Sequence, residues 1–89
     1  PRLEAAPRDL APGARPVSAA DRERVAGLFD EAAAELDKAA AHLRTAARHV
    51  RDGEIPRGCA HAFAAEGHVR EADGRTDEAS RIHAARATP

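Results

Sequence analysis

Residues 25–50 read VAGLFDEAAAELDKAAAHLRTAARHV, and apolar side chains recur through them with the period of an α-helix. Three adjacent rows, each repeating every seven residues, form one apolar stripe. The rows are Val25, Ala32, Ala39 and Ala46; Phe29, Leu36, Leu43 and Val50; and Ala26, Ala33, Ala40 and Ala47. Because spacings of three, four and seven residues place side chains on the same face of a helix, this stretch predicts a long amphipathic helix.

The charges of this helix are segregated along its length. Residues 21–37 carry six acidic side chains and two arginines, whereas residues 38–51 carry one lysine, three arginines and no acidic side chain. This order suits the helix dipole, which favours anions early and cations late. It also makes the helix complementary to an antiparallel copy of itself, and the sequence leaves both explanations open.

The composition predicts a helical protein with a thin core. Alanine supplies 24 of the 89 residues, whereas Leu, Ile, Val and Phe together number 13. Alanine has the highest helix propensity but buries little apolar surface. Because a domain of this size buries a small share of its surface, we expect a second copy or another protein to cover the apolar face.

The remaining composition bounds the class of protein. The formal net charge is −1, and no apolar run approaches the length of a membrane span. The single cysteine, Cys59, excludes an internal disulfide and a cysteine-based zinc finger. A free thiol favours the reducing cytoplasm.

Residues 1–17 hold four of the six prolines, which predicts a flexible, extended arm. Ser18, with Asp21 three residues later, predicts the N-cap of the long helix and the start of a helical domain over residues 18–89.

The predicted fold is all-α, a long helix followed by two shorter antiparallel helices. The helices are expected at about residues 19–51, 56–72 and 76–87. Gly53 and Pro56 mark the first turn, since Gly favours the position after a helix and Pro its first turn. Asp73-Gly74, followed by Thr76 as a cap, marks the second turn.

Residues 63–86, FAAEGHVREADGRTDEASRIHAAR, resemble a single helical hairpin of the tetratricopeptide type. Gly67, Gly74 and Ala79 occupy the family's small-residue positions, and Phe63 occupies its early aromatic position. The residues that depart from the family's preferences are Glu66, Arg70, His83 and Arg86. The resemblance covers about a quarter of the chain, and it implies a helix-turn-helix hairpin that binds protein.

Four of the five histidines flank the first turn, two in each adjoining helix. In an antiparallel hairpin turning near residue 55, His49 lies opposite His61 and His42 lies opposite His68. These four residues are candidates for a metal site or a proton-sensitive interface, because imidazole binds metals and titrates near neutrality. A zinc site needs three or four ligands, and Glu35 is one heptad away from His42, so histidines packed at the edge of the stripe are favoured over a metal site.

Arg44, Arg48, Arg51 and Arg57 gather at the turn end of the helices and are candidates for binding an anion or nucleic acid. The scarcity of aromatic side chains for stacking, two phenylalanines in the whole sequence, weighs against nucleic acid. No phosphate-binding loop and no nucleophile with a positioned base is present, so the sequence predicts neither enzymatic activity nor a cofactor.

These patterns favour a non-catalytic interaction or assembly module that self-associates through the long helix, as a dimer, or binds a protein partner. A histidine-based metal-binding or pH-responsive protein and a small nucleic-acid regulator remain as alternatives, as does an accessory or docking segment of an enzyme assembly. The predicted interface residues are Val25, Phe29, Leu36, Leu43, Val50, Phe63 and Val69.

Overall fold

The computed structural model describes residues 18–89, which fold into two α-helices packed against each other as a hairpin. Helix α1 spans Ala19–Arg51 and helix α2 spans Ile55–Arg86. The all-α class is confirmed, and no strand occurs in the described residues. The arm predicted for residues 1–17 lies outside them. Neither helix is both long enough and apolar enough to span a bilayer.

Capping residues fix both ends of α1. The Ser18 hydroxyl accepts a hydrogen bond from the Asp21 backbone N–H at 3.0 Å, so the predicted N-cap is confirmed. At the other end Gly53 has a φ of +80°, the left-handed conformation that glycine adopts without steric cost. The backbone N–H of Gly53 donates to the Val50 carbonyl, and that of Glu54 donates to the His49 carbonyl. These two bonds form a Schellman motif, which ends the helix and starts the turn.

The predicted break at Asp73-Gly74 is wrong, because α2 runs through it as one continuous helix. The Thr76 hydroxyl does not cap a new helix but donates to the Asp73 carbonyl within the same helix. Ion pairs from Glu71 to Arg75 and from Asp77 to Arg81 connect successive turns across this region. Residues 63–86 therefore do not divide into the two helices that the tetratricopeptide resemblance implies.

The helices meet along a seam of small side chains. The buried residues are Leu28, Ala32, Ala39 and Ala46 on α1, and Gly58, Ala65, Ala72 and Ala79 on α2. Both sets repeat almost entirely every seven residues, the spacing that keeps one face of each helix toward its partner. Small side chains let the backbones approach closely, and one row of the predicted stripe is thereby covered within the chain itself.

The helices approach each other closely beside the turn, at Gly58. A Cβ atom added to Gly58 would stand 2.6 Å from Val50 Cγ2 and 3.0 Å from the Ala46 carbonyl oxygen. Only a residue without a side chain fits there, so Gly58 sets the distance between the helices where α2 begins.

Candidate functional site

The seam divides the surface of the hairpin into two flanks with different chemistry. Successive residues of an α-helix are about 100° apart. On α1 this places His42 and His49 on one side of the buried alanine row, and Phe29 and Leu36 on the other side. We call the histidine side the polar flank and the opposite side the apolar flank.

Four large apolar side chains of α1 line the apolar flank. Phe29, Leu36, Leu43 and Val50 are 54%, 49%, 51% and 47% exposed. Val25 and Val69, also predicted for the interface, are half-buried at the edge of the seam. Packing within the hairpin therefore buries only about half of the surface of these four side chains.

Two further residues, Phe63 and Cys59, are exposed on α2. Phe63 is 77% exposed. It lies two residues before the buried Ala65, which turns its side chain about 200° away from the seam. Cys59 has a free and exposed thiol in an open groove that it lines with Ala47, Val50 and Ala62.

Contacts between polar side chains of α1 and those of α2 or the turn follow the polar flank from the open end of the hairpin to the turn. In order along α1 they join Asp21 to Arg86, Arg24 to Glu78, Glu31 to Arg75, Glu35 to His68, His42 to His61, and His49 to Glu54. Exposed ion pairs contribute little individually. Together the six contacts extend from the first turn of α1 to its last.

The four predicted histidines lie side by side within this flank. His42 stacks on His68 with ring centroids 5.4 Å apart, and His49 stacks on His61 at 5.4 Å. These are the two pairs expected from an antiparallel hairpin. His42 and His61 also make a contact that the sequence did not predict, with their Nδ1 atoms 3.0 Å apart and ring centroids at 5.2 Å.

Carboxylates close both ends of the histidine set. His68 Nδ1 lies 2.9 Å from Glu35 Oε1, and His49 Nδ1 lies 3.0 Å from Glu54 Oε1. The hydrogen bond from His68, followed by one from Lys38, lowers the pKa of Glu35 below its usual 4.5. The hydrogen bond from His49 likewise lowers the pKa of Glu54. Each end histidine therefore faces an ionised acceptor.

The arrangement of these side chains does not form a metal centre. No group of three or more His, Cys, Asp or Glu side chains within residues 18–89 is placed to hold a metal ion. The four histidines and the two glutamates spread their nitrogen and oxygen atoms over several helical turns, whereas a metal ion needs its ligand atoms around one point.

The predicted arginine cluster is divided between different surroundings. The Arg48 guanidinium donates to the Thr45 hydroxyl at 2.9 Å, and Arg57 pairs with Glu54 at 3.4 Å. Arg44 and Arg51 are exposed and follow Ala40 and Ala47 by four residues, so they border the apolar flank. The four arginines thus lie on two different surfaces, and one of these arginines, Arg57, already faces a carboxylate.

A scan against protein-family models and searches of curated proteins and of solved structures found no match to this chain.

Proposed function

We propose that this chain is a non-catalytic assembly module, and that its apolar flank binds the same flank of a second copy. The observation that carries the proposal is the row Phe29, Leu36, Leu43 and Val50, in which each side chain is about half exposed. A contiguous row of large apolar side chains on a small protein is typical of an interaction surface.

A second copy fits this flank because the row is symmetric about its own midpoint. If two α1 helices pack antiparallel around a twofold axis between Leu36 and Leu43, Leu36 of one copy meets Leu43 of the other. The same axis brings Phe29 opposite Val50. One surface patch then covers itself, which is the usual geometry of a homodimer.

The charges bordering the row are complementary under the same axis. Asp30 and Asp37 lie on the outer edge of the apolar flank in the first part of α1, and Arg44 and Arg51 lie on that edge in its second part. The antiparallel arrangement places Asp37 near Arg44 of the second copy and Asp30 near Arg51. None of these four side chains makes an ion pair with another residue in the range 18–89.

Light scattering over a range of protein concentrations tests this proposal. We expect the native chain to show twice its 9.4 kDa mass. Leu36→Asp should restore the single mass, because each copy would have to bury a carboxylate in the apolar contact. A native chain that keeps the single mass at every concentration contradicts self-association.

Phe63→Asp is the matched control. It makes the same change of a large exposed side chain into an acid, but on the side of α2 that faces away from both the seam and the row. We expect this variant to keep the native mass. Equal dissociation by Phe63→Asp and Leu36→Asp would show that the apolar flank is not the contact.

A charge exchange tests the antiparallel orientation separately. Arg44→Asp and Asp37→Arg should each weaken dimerisation several-fold, since each places like charges opposite each other. Combining the two substitutions in one chain should restore affinity, because the pair is re-formed with its signs reversed. Additive weakening in the double variant would rule out this orientation.

A further inference from the structure

The histidines and carboxylates of the polar flank form one continuous row next to the seam. Its order is Glu35, His68, His42, His61, His49 and Glu54, with contacts of 2.9 Å and 3.0 Å at its ends and a 3.0 Å contact at its centre. The contacts between the centre and the ends are ring stacks at 5.4 Å. We call these six residues the histidine row.

The central contact accommodates a limited number of protons. A neutral imidazole has one N–H and one bare ring nitrogen, so His42 and His61 can share one hydrogen bond between their Nδ1 atoms. A single extra proton still leaves one Nδ1 bare as acceptor. A second extra proton leaves both Nδ1 atoms as donors, and two N–H groups then face each other 3.0 Å apart.

The end contacts respond to protons in the opposite direction. His68 and His49 each face an ionised carboxylate, so a positive charge on either imidazole strengthens its contact. The other charged groups near the ends are cations, Lys38 beside Glu35 and Arg57 beside Glu54. Among residues 18–89, no carboxylate pairs with His42 or His61. Each of these two central rings has another histidine on either side.

We propose that the histidine row is a proton-sensitive device that holds the two helices together at neutral pH and weakens their contact in mild acid, through the second protonation of the His42–His61 pair. The row spans both helices, so repulsion at its centre acts directly on the seam. The proposal concerns the hairpin of a single chain and does not depend on self-association.

The sign of the effect follows from counting protons. The imidazole of an unfolded chain has an ordinary pKa of about 6.5. If the folded pair accepts only one extra proton, the unfolded state binds more protons below that pH, and stability falls as the pH falls. One excess proton raises the unfolding constant by up to about tenfold per pH unit. The two histidine–carboxylate contacts at the ends add stability in acid and oppose this effect. Variants that change only the central pair keep the end contacts, so a comparison with them isolates the contribution of the centre.

The experiment measures the unfolding constant by urea titration between about pH 7.5 and pH 5, for the native chain, His42→Asn and His61→Asn. Each variant places an amide, which does not titrate, near one central Nδ1 position. We expect the ratio of the native to the variant unfolding constant to rise as the pH falls, by up to about tenfold per unit below about pH 6.5. His83→Asn, which changes the exposed histidine outside the row, should leave the native pH dependence unchanged.

A merely structural role gives a different result. If His42 and His61 only fill space, each substitution changes the unfolding constant by the same factor at every pH. A constant ratio for both variants, or an equal effect of His83→Asn, overturns the proposal. Measuring molar mass in the same samples separates this result from dimer dissociation.

Discussion

Replacing Gly58 by alanine should destabilise the hairpin, although alanine is the better helix former. In an open helix interior the change from Gly to Ala gains about 1 kcal/mol. At Gly58 the new methyl group would stand 2.6 Å from Val50 Cγ2 and 3.0 Å from a backbone oxygen of α1. Val50 is β-branched and has few alternative rotamers, and the backbone oxygen moves only if α1 moves.

The magnitude follows from the balance of these two effects. Overpacking of a close contact costs about 1–3 kcal/mol. Subtracting the helix-propensity gain leaves a net loss of about 1 kcal/mol, which corresponds to a fall in Tm of about 4–8 °C for a chain of this size. Thermal unfolding followed by far-ultraviolet circular dichroism, at one fixed protein concentration, measures the shift.

Gly67 and Gly74 provide controls within the same helix, because a Cβ atom added to either meets no atom within 4 Å. Each substitution by alanine should therefore raise the free energy of unfolding by about 1 kcal/mol, and with it the Tm. A rise in Tm for Gly58→Ala equal to that of the controls would refute the close approach of the helices. A fall for Gly74→Ala would refute the continuity of α2, since a turn glycine with positive φ is the one that alanine replaces poorly.

Three further predictions concern the core, the turn and the response to acid. Leu28→Ala should lower the free energy of unfolding by about 2–4 kcal/mol in a urea titration, because Leu28 is 2% exposed and is the largest fully buried side chain among residues 18–89. Gly53→Ala should cost about 1–2 kcal/mol in the same assay, because a φ of +80° brings the new Cβ too close to the following carbonyl oxygen. The hydrogen bond from His68 lowers the pKa of Glu35, so its contribution is present above the usual value of 4.5 and is lost as the pH falls through the lower folded value. The stability of Glu35→Gln should therefore fall less steeply than that of the native chain below pH 4.5, and parallel curves would contradict this assignment.

The sequence was sufficient to predict the first half of the hairpin. Ser18 and Gly53 have the side-chain chemistry that a helix start and a helix end require, and both were located to the residue. The pairing of His42 with His68 and of His49 with His61 followed from the turn position alone. Local chemistry decides these features, so they can be identified without knowing how the helices pack.

The second half of the hairpin was predicted incorrectly because the dipeptide Asp-Gly occurs twice, in different surroundings. Asp52-Gly53 is followed by Pro56. Proline has no backbone N–H to donate and its ring clashes with the preceding turn, so a helix cannot continue through it without a break or kink. Asp73-Gly74 has no proline after it, and the small residues Ala65, Ala72 and Ala79 continue their seven-residue repeat across it. Packing along that repeat outweighs the cost of about 1 kcal/mol for glycine inside a helix.

That error also hid part of the polar flank. A break after Ala72 would have removed Arg75 and Glu78 from the face that packs against α1, so their contacts with Glu31 and Arg24 were not predicted. The contact between Glu35 and His68 was missed for another reason. The antiparallel register places His68 opposite His42, and Glu35 lies seven residues before His42. Only the side-chain geometry shows that Glu35 and His68 reach each other.

The repetition of the seam has a consequence for how the two helices are aligned. Because nearly every buried position holds alanine at intervals of seven residues, sliding α2 by one heptad, about 10.5 Å, would place alanine on alanine again. Gly58, beside the turn, would reject the alanine that takes its place, but the other buried positions distinguish poorly between correct and displaced alignments. A slide of this kind would bring Glu31 to Ile82 and Arg24 to Ala85, so both residues would lose their ion-pair partners. It would also stretch the short turn at Gly53. Alignment is thus encoded at the margin of the contact and in the turn, and a chain stripped of those charges should keep its helices while losing a single fixed pairing between them.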